Sequence, residues 1–235
     1  MKTSLALLCL FALNCFLLGQ TPKPPTAAEL SKTFQETKTK AEKGDADAQV
    51  NLGHMFAEGR GVVKDEAEAV KWFRKAADQG HASGQSNLGR MYNNGWGVVK
   101  DEAEAVKWFR KAADQGDADA QTSLGLMYEN GRGVAKDEVE AVKWYRKAAD
   151  QGNADGQVYV GRMYWGGRGV AKDVVEAYKW FLLAAAQGVF LNGLPGVVLA
   201  KEGIGLYEGK LTPQQKAEGK RRAQEWKPQN PQKAH

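Results

Sequence analysis

The sequence predicts an all-α fold, a solenoid of helix-turn-helix repeats with capping helices at both ends. Three observations predict it. Sliding the chain on itself by 36 residues superimposes four units, beginning at Ala48, Gly84, Ala120 and Gly156. In that register Trp72, Trp108, Trp144 and Trp180 coincide, and so do the glycine pairs Gly59/Gly61, Gly95/Gly97, Gly131/Gly133 and Gly167/Gly169. Within each unit the apolar residues recur at helical spacing, and glycines punctuate the runs. A period in this range marks stacked supersecondary units.

Residues 1–20 differ from the rest. Lys2 gives a basic start, Leu5 to Leu18 is an almost unbroken apolar run, and TPKPP follows. This reads as a secretory signal peptide, too short for a comfortable membrane span of about 20 apolar residues. The expectation is export to a periplasmic or extracellular location, with no stable membrane span in the mature chain. Cys9 and Cys15 both lie in this segment, so disulfides do not hold the mature fold. A lipid anchor on Cys15 is the lesser alternative, because Ala12-Leu13-Asn14 lacks a small residue directly before the cysteine.

Residues 21–44 read as a linker followed by an N-terminal capping helix. Ala41-Glu42-Lys43-Gly44 aligns with Ala77-Asp78-Gln79-Gly80, so residues 28–43 form a degenerate second helix in which Leu30, Phe34 and Ala41 pack.

Residues 45–188 hold the four repeats. In the first, Asp45 or Asp47 caps a helix through Gln49, Leu52, Met55 and Phe56, which the turn Gly59-Arg60-Gly61 ends. Asp65 with Glu68 then has the spacing of a capping box, repeated as Asp101/Glu104, Asp137/Glu140 and Asp173/Glu176. The second helix carries Ala69, Trp72, Phe73, Ala76 and Ala77 on one face, and Gly80 closes it in the left-handed conformation. One such unit cannot bury its own apolar face. Stacked units share one core.

Residues 189–228 read as degenerate C-terminal capping helices. A weak glycine-interrupted helix covers 190–208, and Thr212-Pro213-Gln214-Gln215 starts a last helix that ends near Trp226. Residues 229–235 read as a disordered tail.

The pattern Ala-Gln-x-x-Leu-Gly-x-Met-Tyr/Phe, then Gly-x-Gly-Val, then Asp-x-x-Glu-Ala-x-Lys-Trp-Phe/Tyr, then Ala-Ala-x-Gln-Gly resembles the Sel-one-like repeat, a relative of the tetratricopeptide repeat. The resemblance implies a right-handed α-α superhelix and an adaptor role in protein complexes. Some cysteine-rich relatives handle β-lactams, but that branch carries paired cysteines in each repeat, which these repeats lack.

The net charge of +5 is misleading until it is located. Residues 21–200 contain 24 basic and 24 acidic side chains, whereas 201–235 contain 8 and 4. The excess sits in the tail around Lys220, Arg221 and Arg222, a solvated helix face, so no nucleic-acid partner is expected. Catalysis is argued against by the repetition itself. An active site is one asymmetric constellation, whereas the Asp65/Glu66 carboxylate pair recurs at Asp101/Glu102 and Asp137/Glu138. The Gly-x-Gly turns lack the Lys-Ser/Thr of a phosphate loop, and the mature chain has only His54, His81 and His235. No catalytic residues, no cofactor and no metal are expected.

If repeated residues are scaffold, recognition falls to residues that differ between copies. The first helix varies most, at Val50/Ser86/Thr122/Val158, Asn51/Asn87/Ser123/Tyr159, His54/Arg90/Leu126/Arg162 and Ala57/Asn93/Glu129/Trp165. Trp96 also replaces a turn arginine found at positions 60, 132 and 168. In tetratricopeptide-like solenoids the first helices line the concave side, so the resemblance places this stripe in a groove. The expected protein-binding residues are Asn51, His54, Asn87, Arg90, Asn93, Trp96, Leu126, Glu129, Tyr159, Arg162 and Trp165. The function expected is a non-enzymatic exported scaffold for a protein or extended peptide. The alternative is an envelope protein that binds or hydrolyses a small molecule, such as a cell-wall fragment or β-lactam.

Overall fold

A computed structural model describes residues 26–187 and 207–229. The expected signal peptide with both cysteines and the start of the linker (residues 1–25), residue 188 with residues 189–206 of the expected C-terminal cap, and residues 230–235 lie outside the described residues. Among the described residues the regular elements are helices, in chain order α1 (Ala27–Glu42), α2 (Ala46–Glu58), α3 (Glu66–Asp78), α4 (Ala82–Asn94), α5 (Glu102–Asp114), α6 (Ala118–Asn130), α7 (Glu138–Asp150), α8 (Ala154–Gly166), α9 (Val174–Ala186) and α10 (Pro213–Glu225). Each pair α2/α3, α4/α5, α6/α7 and α8/α9 is one repeat, and each second helix packs on the first helix of the next. The chain is an all-α solenoid. No described helix is long and apolar enough to cross a membrane.

Two glycine rows let the helices approach. A Cβ on Gly89 would lie 2.8 Å from the Phe109 ring, so the first helix can lie directly on the aromatic of the second. Gly97 has φ +64°, and a Cβ there would lie 2.2 Å from the Glu66 carbonyl carbon. The turn of one repeat therefore rests on the backbone of the preceding second helix, which only glycine permits.

The core is continuous because each repeated tryptophan reaches back into the previous unit. Trp108 packs with Val50, Phe73, Leu88 and Met91, and Trp144 and Trp180 do the same one and two repeats on. Each ring buries roughly 150–250 Å². Lys75, Lys111 and Lys147 lay their ammonium groups over Trp72, Trp108 and Trp144 at 3.7, 4.1 and 3.9 Å, covering the outer face of each ring.

A polar ladder runs beside the core. Gln79 donates to Gln49 at 2.7 Å, and Gln49 donates to the Ala41 carbonyl at 3.1 Å. The same relay recurs through Gln115/Gln85, Gln151/Gln121 and Gln187/Gln157. It joins the two helices of a repeat to the end of the preceding second helix.

The Asp-x-x-Glu motif does half of what its spacing predicts. Asp65 accepts from the Glu68 N–H at 2.9 Å, but the Asp65 N–H donates to the Phe56 carbonyl at 2.9 Å. With that donor already taken, Glu68 pairs instead with Lys71 at 2.7 Å. The pattern repeats at Glu104/Lys107 and Glu140/Lys143. Complete capping boxes occur at Thr26/Glu29 and Thr212/Gln215, on the two cap helices.

The caps close both ends. Phe34 and Ala41 of α1 are buried, with Leu30 half-buried. At the other end, Leu182 and Leu183 stand where earlier repeats carry Arg and Lys, and α10 packs on α9. Trp226 meets Trp180 edge to face at 6.0 Å, and the Gln229 N–H donates to the Asp150 carbonyl at 2.7 Å.

Candidate functional site

The variable first-helix positions do not share one exposure. Val50, Ser86, Thr122 and Val158 are all buried, against the expectation of an exposed stripe. Two of them meet the N-cap of the next first helix: Thr122 donates to the Asn153 side chain at 3.1 Å, and Ser86 faces Asp117. His81, of the same capping row, is the N-cap of α4. Its Nδ1 accepts from the Gly84 N–H at 3.2 Å, and Nε2 lies 3.0 Å from Asp47.

Two of the eleven expected binding residues are also internal. Tyr159 is 6% exposed and stacks on Tyr145 with ring centroids 5.0 Å apart. Glu129 is 8% exposed, accepting from Tyr145 Oη at 2.7 Å and from Arg168 at 2.8 Å. A buried carboxylate needs such partners, and the fold supplies both. Trp165 is half-buried against Tyr207, edge to face at 4.5 Å, and so holds the C-terminal cap. Asn93 accepts from Arg132 at 2.8 Å. Asn51 is exposed, while Leu126 and Arg162 are half-buried, with the Arg162 guanidinium 5.6 Å from the Tyr159 ring centre.

The other four, His54, Asn87, Arg90 and Trp96, come together. With Ala57, Glu58, Lys64, Glu66, Phe73 and Met91 they line a concavity of about 400 Å³ between the first and second repeats. Its origin lies in a broken rule. At the next boundary Arg132 bridges Asn93 and Glu102, at 2.8 and 3.0 Å, and at the one after that Arg168 holds Glu129. The corresponding residues at the first boundary are Trp96, Ala57 and Glu66. Ala57 offers no acceptor and little volume. Trp96 is therefore left 44% exposed, with no hydrogen bond to Ala57 or Glu66. This signal was present in the sequence, as the pairs Ala57/Trp96, Asn93/Arg132 and Glu129/Arg168, but it links residues 39 apart across two units.

The concavity has an apolar floor and a polar rim. Phe73 and Met91 are buried beneath it, and His54 meets Phe73 edge to face at 5.2 Å. Burial lowers the His54 pKa, with Glu58 opposing and Arg60 and Arg90 adding to the fall. The ring is thus neutral at pH 7, 3.4 Å from the Asn87 amide. Glu58 is held by Arg60 at 2.7 Å and Glu66 by Lys64 at 2.8 Å. Arg90 is exposed and makes no ion pair among the described residues. Such a surface can hold an anionic or amide group at its rim and an apolar group on Trp96. No cluster of metal-ligating side chains occurs among the described residues.

The Sel1 repeat family model matches residues 46–81, 82–117, 118–153 and 154–189, more than half of the chain. The chain belongs to the Sel1 repeat family. It is similar to c5321 of uropathogenic Escherichia coli, a protective antigen with an SLR fold, at 46% identity and a TM-score of 0.64. That match covers 66% of this chain but 33% of c5321, so the chain spans about a third of that relative's length. A Sel1 repeat protein from Oxalobacter formigenes matches at 33% identity and TM-score 0.65, covering 76% of this chain and 75% of that one. The immunity protein Pa5087 of Pseudomonas aeruginosa, at 22% identity and TM-score 0.53, shares the fold. None of the curated proteins compared matches the chain.

Proposed function

We propose that this Sel1 repeat chain is a non-enzymatic, exported scaffold that binds a protein or extended peptide along the face of its first helices, centred on His54, Asn87, Arg90 and Trp96. The observation that carries the reading is the first boundary, where Ala57 and Trp96 stand in place of a polar bridge and leave an indole half exposed over a concavity of about 400 Å³. Tryptophan and arginine are, with tyrosine, the residue types enriched at binding hot spots. The direct approach of α2 to α4 and of α6 to α8 supports first helices on the inner side of the curve. The non-enzymatic part rests on the recurrence of the acidic and aromatic residues in every unit. Export rests on residues 1–20.

A photo-crosslinking side chain tests the face. Placed at Asn51 or Asn94 on first helices it is expected to trap partner from an envelope fraction, and at Lys71 or Lys107 on second helices it is not; all four positions are exposed. Equal trapping from both sets would remove the first-helix face from consideration.

The size of the concavity supports a second reading, a site for a small envelope ligand such as a cell-wall fragment or β-lactam. A thermal shift with muropeptides or β-lactams that is lost on Trp96→Ala would favour it over the scaffold. No shift at millimolar ligand would end it.

A further inference from the structure

Building on the first-helix face as the binding surface, we infer that its occupant is an extended acidic protein segment, with two carboxylates about six residues apart and an apolar residue between them. The argument begins with how the arginines are used. Arg60, Arg132, Arg146, Arg168, Arg221 and Arg222 pair with carboxylates, and Arg74 and Arg110 donate to Tyr92 and Tyr128. Arg90 and Arg162 alone among the described arginines give their guanidinium to no hydrogen-bond acceptor. Both stand at the same first-helix position, two repeats apart.

Between them in that row is Leu126, half-buried, and before them is His54, held neutral by burial. The row therefore reads neutral, cation, apolar, cation. Trp96 adds an aromatic surface at the Arg90 end. A guanidinium with an open fork takes a carboxylate in two parallel hydrogen bonds.

Spacing sets the ligand's register. First helices α6 and α8 touch directly, and a step of about 8–10 Å from each first helix to the next would separate Arg90 from Arg162 by roughly 20 Å. An extended chain rises about 3.3 Å per residue, which spans that distance in about six residues. The neighbouring acids do not cancel the row. Glu58 and Glu66 are tied to Arg60 and Lys64. Asp119 and Asp155 lie in the first turns of α6 and α8 and repel an acidic segment that strays toward that edge, which keeps it on the arginine row.

The test is fluorescence polarisation with labelled synthetic peptides and the full chain. One peptide carries two glutamates about six residues apart around a leucine, a second has glutamine in their place, and a third has the two glutamates adjacent. The first is expected to bind at least about tenfold more tightly than the others, with Arg90→Gln and Arg162→Gln each costing it about tenfold and leaving the glutamine peptide unaffected. Circular dichroism checks that both variants fold. Equal affinity for glutamate and glutamine peptides overturns the inference, as does indifference to either arginine, or no binding of any peptide. Equal binding of the adjacent-glutamate peptide, or displacement by heparin regardless of spacing, makes the row a general anion surface and also overturns it. Peptides that bind without charge preference but lose affinity on Trp96→Ala would sink the acidic occupant while leaving the first-helix face standing.

Discussion

Arg168 donates to the Glu129 carboxylate at 2.8 Å across a repeat boundary, and Arg132 reaches Asn93 at the same distance one repeat earlier. Trp96 and Ala57 occupy the matching positions at the first boundary. Restoring the bridge with Ala57→Asn and Trp96→Arg together should raise stability by about 0.5–1.5 kcal/mol, the net worth of a hydrogen bond. Each single change should give less, so that a double-mutant cycle by thermal denaturation shows favourable coupling. The same double variant should lose partner binding. Additive effects would mean the two residues do not face each other as described.

Tyr145 stands where the other repeats have Phe73, Phe109 and Phe181, and its hydroxyl donates to buried Glu129 at 2.7 Å. Tyr145→Phe leaves that carboxylate one partner short and should cost about 1–3 kcal/mol at neutral pH. Burial and the Glu129 charge push the Tyr145 pKa well above 10, and burial raises that of Tyr159 to about 12. A pKa raised in the folded state means stability that is full below pH 10 and lost as pH rises beyond it. The wild-type advantage over Tyr145→Phe should therefore shrink as denaturant unfolding is repeated at increasing pH above about 10. A constant difference would contradict the burial.

His54 gives the opposite limb. Its pKa is lowered from 6.5 by burial, so the unfolded chain binds more protons than the folded one in the window below 6.5. Stability is complete above that value and falls as pH drops through it toward the lowered folded pKa. His54→Leu, which places at this position the residue found at 126, should flatten the decline between about pH 7 and 5, measured by urea midpoints. An unchanged slope would show that other groups account for the acid limb.

His81 tests the cap. Its Nδ1 accepts from the Gly84 N–H while Nε2 faces Asp47. Asn153 does the same work with Gly156 and Asp119 two repeats later. His81→Ala should cost about 1 kcal/mol and His81→Asn should not, by thermal denaturation. Equal losses would mean the imidazole acts through packing rather than as a cap.

Comparing copies within one chain made the scaffold legible and the site only partly so. The tryptophan, glycine and paired-alanine rows recur because every boundary imposes the same packing, and each falls where its spacing predicts. The Asp-x-x-Glu motif misled in part, since nothing local reveals that the Phe56 carbonyl already holds the Asp65 N–H. Variation misled as well. Ser86 and Thr122 are buried against the N-cap residues Asp117 and Asn153 of the next first helix, Val50 and Val158 are buried as well, Glu129 accepts from the Tyr145 hydroxyl that Phe lacks, and Tyr159 stacks on the Tyr145 ring.

The sequence by itself determined the all-α repeat architecture, its period, the flanking helices α1 and α10 and its family, because helix spacing, capping and glycine placement act over a few residues and repeat. Only the tertiary structure decided which differing side chains stay exposed and which face each other. Burial and pairing across a boundary depend on residues 30 to 39 positions away. At that distance Ala57 and Trp96 open a surface, and Glu129 and Arg168 close one.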